Sequence, residues 1–210
     1  MIDKNTINDI VEIVGKTALS TIPVGGALVT AVYDTVKGNV LQKRQEKWKS
    51  VVEERLSKLE ATLEDISQND GFATTLIRTT ELAMKTSKNE KIELLANSLI
   101  YSLKNTIDED KLIIFLSFVD KYSVSHIKIL TFFNEPLKFV TNNFYMGSPS
   151  QVLNKVFPEV QQLQNKCVKD LFNDGLLNTE NLNTTMTSSG MVAKRTTILG
   201  DEFLKFIGLI

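Results

Sequence analysis

Apolar residues recur along most of this chain at intervals of three and four, the period of an amphipathic helix rather than of a strand. The first such segment sets Ile7, Ile10, Val11 and Val14 on one face, with Asn5 or Thr6 placed to cap its start. Gly15 and Pro23 then interrupt the pattern. From Val24 the stripe runs through Ala27, Leu28, Ala31, Val32, Val36, Val40 and Leu41, and after the polar interval QKRQEK it resumes at Trp48, Val52, Leu56, Leu59, Leu63 and Ile66. The steps from Val52 to Ile66 alternate between four and three, as in a heptad seam, so the segment reads as one long helix with a kink at Gly38. Packing within a bundle and pairing of two chains would use the same residues. Asn69-Asp70-Gly71 is expected to end this helix.

Shorter helices follow. Phe72, Leu76, Thr80, Ala83 and Met84 share a face, and Ser87-Lys88-Asn89-Glu90 has the form of a capping box opening a helix with Ile92, Leu95, Leu99, Leu103 and Ile107 on one side. Asp108-Glu109-Asp110 puts negative charge at the start of a further helix carrying Leu112, Phe115, Leu116, Val119 and Tyr122. Residues 1–122 therefore read as a helical bundle.

The pattern changes after Ser123. SVSHIKILTFFNEPLKFV is a helix cut near Pro136, Asn142 to Pro149 a loop, SPSQVLNKVF a short helix, and Glu159 to Phe172 another, closed by Asn173-Asp174-Gly175. β-branched runs on either side of Ser188-Ser189-Gly190 predict a hairpin, and DEFLKFIGLI a last amphipathic turn. Three helices and a hairpin make residues 123–210 a winged-helix-like module. The expected fold class is all-α.

Composition narrows the function classes. The formal net charge is −1, with 16 basic and 18 acidic residues up to Tyr122 and 8 basic against 7 acidic beyond it, so neither part is a basic module. One cysteine, Cys167, and one histidine, His126, leave no internal disulfide and no Cys/His metal cluster. Gly25-Gly26 lacks the lysine and serine or threonine of a phosphate loop, and no paired carboxylates or nucleophile motif stand out. His126 and Cys167 read as packing or surface residues, and the expectation is a protein that is not an enzyme and needs no cofactor or metal. The acidic start, MIDKNTINDIVEIVG, lacks the basic and apolar regions of a signal peptide, which points to the cytoplasm.

Two segments hold candidate interaction residues. In the winged-helix reading the third helix enters a DNA groove and exposes Gln161, Gln162, Asn165, Lys166 and Lys169, with Lys194 and Arg195 on the wing. Glu159, Asp170 and Asp174 dilute that positive charge, so a protein-binding or purely packing module stays open. The second segment, TIPVGGALVTAVYDTV, has no charge before Asp34; Pro23 suits a first helical turn, and Gly25, Gly26, Ala27 and Leu28 offer a close-packing surface. Burial in the bundle and release into a bilayer both fit it, although Thr17, Ser20, Thr21 and Thr30 weaken it as a membrane segment.

The stretches GFATTLIRTTELAMKTSKNEKIELLANSLIYSL, FLSFVDKYSVSHIKIL and KRTTILGDEFLKFIG resemble the bacterial abortive-infection alpha (Abi-alpha) family, whose C-terminal part ends in a turn like Thr197-Ile198-Leu199-Gly200. The resemblance implies a non-enzymatic role in bacterial defence against phage, exerted through a protein partner, self-association or a membrane. It supplies no catalytic residues. A DNA-binding regulator and a membrane-permeabilising effector are the alternatives.

Overall fold

The computed structural model describes residue 12 and residues 40–58, 69–140 and 146–210. The fold is all-α: helices supply nearly all the regular structure of the described residues, and the named strands among them have two residues each. The chain divides into two units, Met1–Asp120 and Lys121–Ile210.

In the first unit, α1 (Gln42–Ser57) buries Trp48, Val52 and Leu56, the steps of four read from the sequence. The rest of the expected long helix, with Leu59, Leu63 and Ile66, lies outside the described residues, as do residues 17–36 with Pro23, Gly25, Gly26, Ala27 and Leu28. Helix α2 (Asp70–Lys85) buries Phe72, Leu76, Thr80, Ala83 and Met84 as its period requires. Trp48, α2 and α3 (Asn89–Lys104) meet in one core, where the Trp48 indole Nε1 donates to Thr80 Oγ1 at 3.0 Å with both residues fully buried. Helix α4 (Glu109–Lys121) adds Leu112, Phe115, Leu116 and Val119 to the buried set. The Lys91 amine on α3 donates to the Val119 carbonyl, and burial pushes that amine down to about 8 against a partly restoring Asp120.

One local expectation needs correction and another gains a role. Asn69, in extended backbone, begins α2: its side chain accepts the Phe72 amide at 2.8 Å as an N-cap, while the expected end of the preceding helix lies outside the described residues. Ser87 and Glu90 form no capping box, because Lys88 is the N-cap of α3 and the Thr86 hydroxyl takes the Lys88 amide at 3.1 Å. Asp108 does cap α4, its Oδ1 accepting the Lys111 amide at 3.2 Å.

In the second unit α5 (Val124–Asn134) is the central element, packed against two later helices, Gln164–Asn173 and Ile198–Phe206. Its buried residues Ile127, Ile129, Leu130, Phe132 and Phe133 span more than one face, so it is surrounded rather than amphipathic. A 3-10 turn at Pro136–Lys138 ends it, then come β1 (Met146–Gly147), α6 (Pro149–Val156), a second 3-10 turn at Pro158–Val160, and α7 (Gln164–Asn173). Gly175, at φ 75°, turns the chain out of α7 in the left-handed conformation glycine accepts without strain.

The expected hairpin around Ser188-Ser189-Gly190 does not form. Those residues belong to a helical turn, α8 (Ser188–Met191), because Thr187 caps it: its Oγ1 accepts the Gly190 amide at 3.5 Å and lies 3.0 Å from Ser189 Oγ. The β-branched run before it supplies β2 (Met186–Thr187), which pairs antiparallel with β1, and farther out Leu177 bridges Thr196. The last helix, α9 (Ile198–Phe206), buries Phe203, Leu204 and Phe206.

Candidate functional site

Five of the residues proposed for groove contact lie on α7 or in the turn before it. Gln161 and Gln162 lie in the turn before α7 and Asn165, Lys166 and Lys169 on the helix; all five are exposed, and Asn165, Lys166 and Lys169 fall at helical spacing. The opposite face is sealed by Cys167, Val168 and Leu171, each no more than 1% exposed, against α5. Two apolar side chains flank the polar surface, Leu163 at 50% and Phe172 at 38% exposure.

The cations are largely committed elsewhere. Lys166 Nζ pairs with Asp170 Oδ1 at 2.5 Å within its own helix. Lys194 pairs with Asp201 Oδ2 at 2.6 Å. Arg195 is half-buried, with Nη2 donating to the Gly190 carbonyl at 3.0 Å and lying 3.1 Å from Met186 Sδ, while its backbone amide donates to the Phe133 carbonyl at 2.9 Å. Lys194 and Arg195 therefore brace the α8–α9 connection, and no hydrogen bond or ion pair joins them to α7 among the described residues.

Asp201 anchors that brace. Its Oδ1 accepts from Asn134 Nδ2 at 2.7 Å and Thr196 Oγ1 at 2.6 Å, so a buried amide at the end of α5 holds the start of α9. Burial alone would raise its carboxyl; Lys194, Thr196 and Asn134 together hold it below the ordinary carboxylate range. This cluster is structural in form, since each of its acceptors and donors is turned inward on another.

A second polar cluster surrounds His126 on the first turn of α5. Its ring stacks on Tyr122 at 5.0 Å between centroids, its Nδ1 lies 2.9 Å from Ser123 Oγ, and its Nε2 lies 3.3 Å from Asp170 Oδ2 on α7. Tyr122 donates its hydroxyl to Asp174 Oδ2 at 2.5 Å, and Lys121 pairs with the same oxygen. Burial, with the Asp174 carboxylate behind it, pushes the Tyr122 phenol well above its ordinary value. Burial also lowers the His126 imidazole, only partly opposed by Asp170. Asp170 is held below the ordinary carboxylate range chiefly by Lys166 and also by His126.

Ser-x-x-His is visible in the sequence as a local capping signal, but Asp170 lies 44 residues away and only the packing of α7 on α5 delivers it. Cys167 lies within the same packing, where burial pushes its thiol up to about 11. Among the described residues no group of His, Cys, Asp and Glu is arranged to hold a metal ion, and no helix is long and apolar enough to cross a membrane. No protein-family model, curated protein or solved structure matches the chain.

Proposed function

We propose that this chain is a bacterial phage-defence protein of the abortive-infection kind that acts by binding a protein partner through the solvent face of α7. The phage-defence part draws on the resemblance of the three quoted stretches to the Abi-alpha family. The observation that carries the binding part is the make-up of that face and the turn before it: uncharged amides at Gln161, Gln162 and Asn165, one lysine paired to Asp170 and one more at Lys169, and exposed apolar side chains at Leu163 and Phe172. Protein interfaces favour aromatic anchors within a polar surround, whereas a phosphate backbone is met by unpaired positive charge.

The test is phage plating on cells producing the protein. Leu163→Glu with Phe172→Glu, both on exposed positions, should abolish protection while helical content and thermal unfolding stay as in the parent. Full protection by that folded double variant would overturn the reading.

DNA binding is the second reading, favoured by Gln162 and Asn165 on one face with Lys169, since such amides match adenine edges in the major groove. It requires duplex binding that weakens steeply with salt. Binding absent at low salt would remove it.

A further inference from the structure

One contact with a fixed donor sets the proton directions between Ser123, His126 and Asp170. The Ser123 backbone amide, which can only donate, points at His126 Nδ1 at 3.3 Å, so Nδ1 is the bare nitrogen of a neutral ring. The proton then resides on Nε2, which donates to Asp170 Oδ2. Asp170 can receive it as an anion, its other oxygen being held by Lys166. The 2.9 Å contact between Ser123 Oγ and Nδ1 must in turn be a bond donated by the hydroxyl. Hydroxyl, imidazole and carboxylate are thus aligned so that each passes its hydrogen the same way.

A second capping box in the unit shows what helix starting alone requires. At α6, Ser148 faces Gln151: the Ser148 amide donates to Gln151 Oε1 at 3.0 Å and the Gln151 amide to Ser148 Oγ at 3.4 Å. That box caps with an amide, which takes no proton near neutral pH, and Ser148 is only 8% exposed. At α5 the same backbone task is done by a base backed by a carboxylate, and Ser123 is exposed.

We infer that Ser123 is a nucleophile for acyl esters, with His126 as its general base and Asp170 as the positioning residue that fixes the imidazole tautomer. In the step, Ser123 Oγ forms a bond to the ester carbonyl carbon while its proton moves to His126 Nδ1, which gives up the 3.3 Å bond from the Ser123 amide as it becomes a donor. The carbonyl oxygen becomes an alkoxide at the start of α5, where the first amides of a helix have no carbonyl partner in the ladder and carry partial positive charge. The alkoxide then reforms the carbonyl, the bond to the alcohol oxygen breaks, and the alcohol leaves with the proton from Nδ1. Water delivered by the same base cleaves the acyl-serine to a carboxylic acid. His126 and Asp170 keep only 12% and 15% of their side-chain surface exposed, so the base is shielded while the hydroxyl is reachable.

The probe is a fluorophosphonate, which a nucleophilic serine attacks at phosphorus with loss of fluoride, the proton passing to the base and then to water. Intact chain should be labelled at Ser123 at least about 100-fold faster than the same chain in urea, the scale of a positioned general base. Ser148, in the other capping box, should stay unlabelled. Asp170→Asn should slow labelling about tenfold with the folded state preserved, and the rate should rise with pH to a plateau as His126 loses its proton. Labelling of the native chain no faster than in urea, or adducts on other serines with Ser123 unmodified, would overturn the assignment. The native-against-urea comparison needs no variant, so a misfolded mutant leaves the test intact.

Discussion

Gly200 lies so close to Leu176 that a Cβ on it would stand 2.4 Å from the Leu176 carbonyl oxygen. The approach is fixed from both sides: the Thr197 amide donates to that same carbonyl at 3.0 Å, and Thr197 Oγ1 donates to the Gly175 carbonyl at 2.6 Å. The Thr-Ile-Leu-Gly turn is therefore a clamp between the end of α7 and the start of α9.

Gly200→Ala should destabilise the second unit by about 2 to 3 kcal/mol, since a buried backbone atom rather than a flexible side chain stands in the way. Thr197→Ala, which removes the cap on Gly200, should cost about 1 kcal/mol. Ile198, 81% exposed in the same turn, should tolerate alanine. Urea unfolding of the three variants followed by circular dichroism checks the ranking; equal midpoints would refute it.

Thr80→Val keeps the side-chain shape but takes away the acceptor of the buried Trp48 indole. An orphaned donor in a dry core costs about 1 to 3 kcal/mol, so this near-isosteric change should lower the urea midpoint of the first unit. An unchanged midpoint would mean that the indole finds another acceptor.

His126 gives the fold a pH dependence whose sign can be worked out. Burial holds its folded value below the ordinary 6.5, so below that pH the unfolded chain binds more protons. Its contribution to stability is full above 6.5 and is lost as pH falls through the lowered folded value. Free carboxylates titrate near 4, leaving roughly pH 7 to 5 to the imidazole. The melting temperature of the parent should fall across that window, and His126→Gln should flatten the fall. A parallel fall in both proteins would place its cause elsewhere.

Cys167 should be silent in the native protein. It is 1% exposed, and burial lifts its thiol from 9.0 to about 11, which cuts the thiolate fraction about 100-fold before access is considered. Iodoacetamide at pH 8 should alkylate it only after urea is added. Rapid alkylation of folded protein would show that α7 lifts from α5.

Helical periodicity made the elements legible. Phe72, Leu76, Thr80, Ala83 and Met84 line the buried side of α2 as their spacing requires, because a half-buried helix writes its environment into its sequence. Helix ends were harder to read. Asn69-Asp70-Gly71 has the composition of both a stop and a cap, and the donation from Phe72 shows the cap. Thr187-Ser188-Ser189-Gly190 is ambiguous in the same way, since residues that favour a hairpin turn also open a helical one.

The candidate site was legible in part. Exposure of Asn165, Lys166 and Lys169 follows from Cys167, Val168 and Leu171, which face the other way. The diversion of Lys194 to Asp201 and of Arg195 to Gly190 does not, because it depends on how the turn before α9 closes. Ser123 and His126 are neighbours in sequence, while Asp170 reaches them through tertiary packing alone.

Trp48 is the one tryptophan of the chain, and it belongs to the first unit. Its enclosure gives the protein a built-in optical reporter: selectively excited indole emission should be blue-shifted in the native state and move to the red when the core around α1 opens to water, whatever the second unit is doing. Set against far-ultraviolet ellipticity, which sums over every helix, that emission separates the melting of one unit from the melting of the other without a label or a truncation.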